Sequence, residues 1–350
     1  EGIFMRRWLG LALLFPVCSF AAGVCKPVDL RPLLGAPLHQ GNSGYCFAHT
    51  SSVLIRAKLG LRVSPMQLAT TYLLANPEEL SGPADSAVRN LLTPGFFADW
   101  KKSRLEEPGN YSPEKILTPE GLLNTGGDEL QTLTAANYIG LCDESKLPTG
   151  KNVYKNYLRD IKAFHARRVV EGIPREEMEL PIGEVADPEA RAMAWSFRHW
   201  VSRRCGEARL PELPLVPTEI SLAPNLRSFR RLQSLSLAAT IATGRSRVME
   251  AVDRELDRGN PVAIGYALSD IMPGESSQDA GLSPVPAEVD HASIFAGRRE
   301  LDGKCYYYLR NSFGKEIAGY KPKLKERFEN GGVWVLPEEL PSLYSAVWLE

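Results

Sequence analysis

One stretch restricts this chain more than any other. In Gln40-Gly41-Asn42-Ser43-Gly44-Tyr45-Cys46-Phe47-Ala48 a turn-forming run meets the start of an apolar helix. Gly and Asn tolerate positive φ and Ser closes local side-chain bonds, so the run from Gly41 to Gly44 predicts a turn. Beyond it Phe47, Leu54, Ala57 and Leu61 fall at helical spacing, with Gly60 as a stop signal. Cys46 is thereby placed in the first turn of a predicted helix. Unpaired N–H groups and the helix dipole favour an anion there, which for cysteine means the nucleophilic thiolate. A free cysteine is nevertheless more often a small buried hydrophobe, so Cys46 alone decides nothing.

Two downstream blocks change the weighting. Asp290-His291-Ala292 leads into the apolar run Ile294-Phe295-Ala296-Gly297, and Tyr308-Leu309-Arg310-Asn311-Ser312-Phe313-Gly314 follows. The order Gln40, Cys46, His291, Asn311, with these neighbours, resembles the papain-like cysteine peptidases, whose three signature blocks all have counterparts here. The chain departs from the family pattern in places. Ser43 stands where the family usually has a disulfide-bonded cysteine, and Phe47 and Phe313 replace tryptophans. The family's long inhibitory pro-domain has no counterpart between Met5 and Gln40.

The chain has 350 residues, 44% apolar and 24% charged, enough for a large core in one or two lobes. A formal net charge of −1 gives no global pull towards nucleic acid or anionic membrane, and no nucleic-acid partner is expected. From Met5 to Val17 a basic start and a short apolar run precede the small residues Ala21, Ala22 and Gly23. This reads as a secretory leader cleaved near Ala21–Gly23, with residues 1–4 as an N-terminal extension. The apolar run is too short for a comfortable membrane span, so no stable membrane anchor is expected. The leader predicts a secreted or periplasmic protein, and export permits disulfides. With Cys18 in the leader and Cys46 reserved, Cys25, Cys142, Cys205 and Cys305 remain. Four cysteines allow three pairings and sequence does not choose among them. Cys142 with Cys205 is the preferred pair, because it would pin the two ends of a long insertion.

Helices are predicted from Ser64-Pro65-Met66-Gln67, where Ser64 caps and Gln67 closes a capping box, with Leu68, Thr71, Tyr72 and Ala75 inward. Others are predicted after Gly126-Gly127-Asp128, from Asp187-Pro188 with Met193, Phe197, Trp200 and Val201 as its stripe, and over Ser246 to Leu256. Residues 76–124 read as an irregular surface insertion with one helix around Asp99 to Leu105. Arg167, Arg168, Arg203, Arg204, Arg227, Arg230 and Arg231 are interleaved with acids such as Glu171 and Glu176 and read as a solvated face. His39 and His49 read as structural or surface histidines. Strands are predicted over Pro261–Ala267, His291–Gly297, Cys305–Arg310 and Val333–Leu336. Helices early and strands late argue for an α+β fold. The resemblance sharpens this to a two-lobed papain-like fold. A helical lobe (about 40–148), an insertion (about 150–240) and an antiparallel β-barrel-like lobe (about 241–350) would form one catalytic domain over 24–350, with the site in the cleft.

The resemblance also implies roles. Cys46 would be the nucleophile, His291 its base, Asn311 the group that orients the imidazole, and Gln40 an oxyanion donor, with Phe313 shielding the His–Asn bond. The helix start and mutual attraction would make Cys46 and His291 an ion pair. Gly126 and Gly127 would pair with the substrate backbone, and Gly265 and Ala292 would line the main specificity pocket, with Gly265 leaving it roomy. Asp128, where the family often has an aromatic, would bias the neighbouring pocket towards a basic side chain. No metal or cofactor is implied, and the partner is a protein or peptide substrate. The expected function is an exported cysteine endopeptidase. Two alternatives stay open: a cell-wall peptide amidase or acyl transferase using the same Cys–His chemistry, and a non-catalytic binding module on the same fold.

Overall fold

The structure, a computed structural model, describes residues 25–41, 43–74, 127–150, 152–171, 188–209, 211, 215–221, 235–273 and 290–350. The predicted leader, the helix expected near Asp99 to Leu105, Gly126, and the arginines Arg227, Arg230 and Arg231 lie outside these residues. In chain order the elements are β1 (Val28–Asp29), α1 (Arg31–Leu34), α2 (Cys46–Leu59), α3 (Pro65–Leu74), α4 (Glu129–Ile139), α5 (Val153–Glu171), α6 (Pro188–Cys205) and β2 (Pro217–Ser221). Then follow α7 (Leu235–Asp257), β3 (Val262–Ala267), β4 (Asp290–Leu301), β5 (Lys304–Arg310), α8 (Pro322–Lys325), β6 (Phe328–Glu329), β7 (Gly332–Val335) and β8 (Ser345–Leu349). The fold is α+β, with mixed helices and a wholly antiparallel sheet.

α2 is the central helix. Every residue from Phe47 to Ile55 is buried, so it is enclosed on all sides over more than two turns. Its hydroxyls are satisfied locally: Thr50 and Ser51 donate to the Phe47 carbonyl, both at 2.8 Å. The helix ends as expected at Gly60, whose φ of 70° is left-handed and whose N–H donates to Arg56 O. Leu61, counted on the inner stripe, is exposed, because the chain leaves the helix at that glycine. α3 starts with the Ser64 hydroxyl accepting from Gln67 N at 3.3 Å. The Ser64 N–H donates to Cys142 O at 2.8 Å. Gln67 reaches across to donate to Gly140 O at 3.0 Å, tying α3 to the end of α4. Leu68 is buried as expected, whereas the side chains of Thr71, Tyr72 and Ala75 lie outside the description. In α6 Phe197, Trp200 and Val201 are buried as expected; the side chain of Met193 lies outside the description.

The sheet runs β2-β8-β3-β4-β5-β7-β6, with β1 also paired to β4. Its two faces feed two cores, because neighbouring residues of a strand point to opposite sides. Ala263, Ile294, Ala296, Tyr308, Trp334 and Val347 join the core shared with α2 to α6. Ile264, Phe295, Leu309, Val333, Val335 and Ala346 join the core beneath α7. α7 begins at Leu235, earlier than the Ser246 start predicted from the sequence. It is fastened to the sheet by buried Arg298, which donates to Asp257 at 2.8 Å and to Asp253, while the Tyr307 hydroxyl also donates to Asp253 at 2.8 Å.

Two disulfides close the frame, Cys142–Cys205 and Cys25–Cys305. The first is the preferred pair. It joins the segment after α4 to the C-terminal end of α6, next to the bridge between Leu141 and Arg209. The second anchors the N-terminal segment to β5 across 280 residues. Alkylation of the denatured, unreduced protein is expected to leave Cys25, Cys142, Cys205 and Cys305 unmodified and to label Cys46, as peptide mass mapping would read. Loss of the long-range Cys25–Cys305 bond, by Cys25→Ala with Cys305→Ala, is expected to cost about 2–4 kcal/mol in denaturant unfolding, mostly by freeing the unfolded chain.

Candidate active site

The turn ahead of α2 holds Cys46 at the first helical position. Gly41 takes φ 61°, a conformation that suits glycine. Ser43 donates its N–H and its hydroxyl to the Gln40 carbonyl, at 3.3 and 2.7 Å. Tyr45 occupies the cap position without capping through its side chain. The first N–H groups of the helix are therefore left for other acceptors. Those of Cys46 and Phe47 face the sulfur, and so does the N–H of Ala292 from β4. Among the described residues Cys46 is the free cysteine.

β4 and the segment after β5 supply the next two groups. His291 Nε2 lies 2.7 Å from Asn311 Oδ1, with both residues buried. The imidazole is stacked against Phe313, ring centroids 5.3 Å apart and planes 19° apart. Tyr266 packs its ring edge-on at 5.7 Å. With Phe313 on the flat side and Tyr266 at right angles, the ring has little freedom to turn. Asn311 is held in turn, since its Oδ1 also accepts from Ser312 N at 2.7 Å.

Gln40 is joined to this assembly from the other side. Its N–H donates to Ser312 O at 2.8 Å, its Oε1 accepts from the Ser312 hydroxyl, and its Nε2 donates to Ser43 O at 2.7 Å. Ser312 thus links Gln40, in the turn before α2, to Asn311 beside β5. The sequence reading did not assign Ser312 a role, although it lies inside the Asn311-Ser312-Phe313-Gly314 block. Gln40, Cys46, His291 and Asn311 are brought together through this network and through the contact of Ala292 with the thiol.

The electrostatics run against the expected ion pair. Burial pushes the Cys46 thiol up to about 12, and the negative charge of Glu129 pushes the same way. The N–H groups of Ala292, Phe47 and Cys46 offset only part of this. Burial also draws His291 down to about 4, partly offset by its bond to Asn311. Burial therefore favours a neutral thiol and a neutral imidazole. The desolvation penalty outweighs the gain from the N–H groups that face the sulfur at the start of α2.

The other predicted residues are placed as follows. Gly127 lies against the ring of Phe47, and a Cβ there would come within 2.6 Å of it, so this position has no room for a side chain. Ala292 pairs with Gly265 across β3 and β4. A Cβ at Gly265 would meet the Tyr344 ring at 2.7 Å and the Ser345 hydroxyl, so this position has no room for a side chain. The Asp128 carboxylate caps α4 by accepting from Gln131 N at 2.9 Å. The acid whose charge reaches the thiol is the next residue, buried Glu129. The sequence signal for it was the acidic pair Asp128-Glu129, of which only the first was read. His49 is structural as expected, buried with Nε2 3.0 Å from the Tyr154 hydroxyl. His39 accepts from Gly41 N at 2.8 Å through Nδ1 and faces Glu316 at 3.4 Å. Arg167 and Arg203 are solvent-exposed as read, while Arg203 and Arg168 also lie over the Phe164 ring. Among the described residues no cluster of His, Cys, Asp or Glu is arranged to hold a metal ion.

No family model matches the chain, and no curated protein matches it. Solved structures similar to it are cysteine proteases. Xylellain, a cysteine protease from Xylella fastidiosa, is 13% identical, with 92% of this chain and 85% of that chain covered at a TM-score of 0.40. Digestive procathepsin L 3 of the Tenebrio molitor larval midgut is 12% identical, with 96% and 73% covered at 0.39. The Carica candamarcensis cysteine protease CMS1MS2 is 14% identical, with 92% and 97% covered at 0.38.

Proposed function

We propose that this chain is a papain-like cysteine endopeptidase, hydrolysing peptide amides with Cys46 as nucleophile, His291 as general base and acid, and Asn311 as the group that orients the ring. The observation that carries this reading is the buried 2.7 Å bond from His291 Nε2 to Asn311 Oδ1, with Ala292, the next residue, against the Cys46 thiol. An imidazole bound through Nε2 keeps Nδ1 for a proton from the nucleophile.

Because both partners rest neutral, the thiol proton passes to His291 Nδ1 as the sulfur attacks the carbonyl carbon. The carbonyl π electrons move to oxygen. That oxygen is met by the Cys46 N–H at the helix start and by the second amide hydrogen of Gln40, whose first is taken by Ser43 O. Gln40 is held through both the oxygen and the nitrogen of its amide, so its donor is in place before the charge develops. The tetrahedral centre collapses, the C–N bond breaks, and the amine leaves with the proton from His291. Water, giving a proton to the same nitrogen, then attacks the thioester, and Cys46 leaves as thiol with that proton restored. Disulfides that persist in oxidising compartments and the leader-like start support an exported enzyme. Among the described residues no helix is long and apolar enough to cross a membrane.

Labelling with an irreversible epoxide thiol inhibitor tests the reading. One adduct per chain, mapped to Cys46 and lost in Cys46→Ala and His291→Ala, is the expected result. A folded protein that leaves Cys46 unlabelled, or that labels equally fast without His291, would overturn it.

A further inference from the structure

Beside the imidazole lies a pair of buried hydroxyls that the reaction does not use. Tyr266 in β3 is the register partner of His291 in β4, and Ile264 is the partner of Ser293. Side chains alternate along a strand and direct partners share a face. Tyr266, His291 and Ser293 therefore all rise from the face that carries Ile264 and the core beneath α7. The Tyr266 ring stands at right angles to the imidazole, centroids 5.7 Å apart. Its hydroxyl bonds the Ser293 hydroxyl, on the diagonal neighbour, at 2.8 Å. Both residues are 0% exposed. They are polar in runs that are otherwise apolar: Val262 to Ala267 has no other polar side chain, and neither does Ala292 to Gly297. Two hydroxyls taken out of water must satisfy one another, a requirement that phenylalanine opposite alanine would not carry.

On the reading of the chain as a cysteine peptidase, we infer that Tyr266 and Ser293 are positioning residues for His291: their hydroxyl bond locks the Tyr266 ring against the imidazole and so fixes the direction of Nδ1. Asn311 holds the imidazole at Nε2. A ring tied at Cβ and at Nε2 can still rock about the line joining them, and Nδ1, which lies off that line, moves with it. Phe313 covers a flat side of the imidazole, with planes 19° apart. Tyr266, at right angles, opposes the remaining motion. A tyrosine fixed only by its backbone could swing away about its Cα–Cβ bond. Anchored also at its hydroxyl, on the very strand that carries His291, it moves only with that strand. Nδ1 must meet the thiol and then the leaving amine, so the stiffness of this ring bears on the proton transfers themselves. Neither hydroxyl exchanges a proton with the reacting groups, so the effect belongs in kcat.

Tyr266→Phe, Ser293→Ala and the double variant, made in the full chain, test this on any cleaved peptide. Each single variant is expected to lower kcat about tenfold with KM unchanged, because reacting geometry is lost and substrate contact is not. The double variant is expected to lose no more than either single one, since the same bond is removed in each. Its thermal stability is expected to exceed that of the single variants, because neither hydroxyl is left unpartnered. A role in packing alone would let kcat recover together with stability. A second readout needs no turnover. By NMR, the Nε2 proton of His291, in its 2.7 Å bond to Asn311, is expected to exchange with water faster in all three variants than in the wild type. Unchanged kcat, additive losses, recovery of kcat in the double variant, or unchanged proton exchange in folded variants would overturn the assignment. Failure of the peptidase reading is distinct: the wild type would cleave no peptide, and the exchange rates would still decide whether the pair holds the ring.

Discussion

Cys46→Ala and His291→Ala are each expected to lower kcat by about 10⁴-fold or more, and the double variant is expected to lose scarcely more than either alone. The residues act as a unit. Without the sulfur there is no acyl-enzyme, and without the imidazole a thiol pushed up to about 12 has no acceptor for its proton. Asn311→Ala is milder, on the order of 10²-fold, because it frees a ring that Phe313 and Tyr266 still hold in part. The same geometry sets the pH profile. Activity needs His291 neutral, and burial draws its pKa to about 4. The acid limb of kcat/KM is therefore expected near pH 4, well below the ordinary histidine value of about 6.5. Steady-state kinetics on any cleaved peptide, with far-ultraviolet dichroism to confirm folding, measures all of this. Additive losses, or an acid limb at an ordinary histidine pKa, would count against a neutral, coupled pair.

Legibility followed the kind of physics each residue obeys. The position of Cys46 at a helix start was readable because turn and helix have local signatures: the glycines before it and Gly60 after it. β3 was readable because a strand covered on both faces is apolar throughout, as Val262 to Ala267 are. The electrostatic state of Cys46 and His291 was not readable. A helix start is local and visible, whereas the burial that outweighs it comes from Tyr266, Phe313 and the packing of β4 on α2, far apart in sequence. Glu129 was not readable for a related reason. It follows Asp128 directly, and only the three-dimensional fit decides that Asp128 caps the helix while Glu129 is buried. α5 was overlooked, although Tyr154, Tyr157, Ile161 and Phe164 keep helical spacing and are all buried. Its dense surface charge masks that period in the composition.

That overlooked helix supplies Tyr154, and with it the second large effect: steep loss of stability in acid. His49 is 1% exposed and His291 4% exposed. Burial draws His49 down to about 3, with His39 pushing the same way, and draws His291 down to about 4. The unfolded chain takes up both protons near pH 6.5, while the folded one refuses them until well below. Stability from this source is complete above pH about 6.5 and is lost progressively as pH falls towards the folded values, since each pH unit costs about 1.4 kcal/mol per histidine in that window. At pH about 5 the cost is about 2 kcal/mol per histidine, or about 4 kcal/mol for the pair, a large share of a typical domain's stability. The groups around His49 offer no relief: Nε2 is bonded to the neutral Tyr154 hydroxyl, and Tyr45 packs edge-on against Tyr154. His49→Gln keeps a side chain able to bond Tyr154 and removes the proton. It is expected to halve the drop in unfolding free energy between pH about 7 and about 5, as measured by urea titration at each pH. An unchanged drop would mean that His49 is charged in the folded protein and that the interior behind α2 is wetter than its packing indicates.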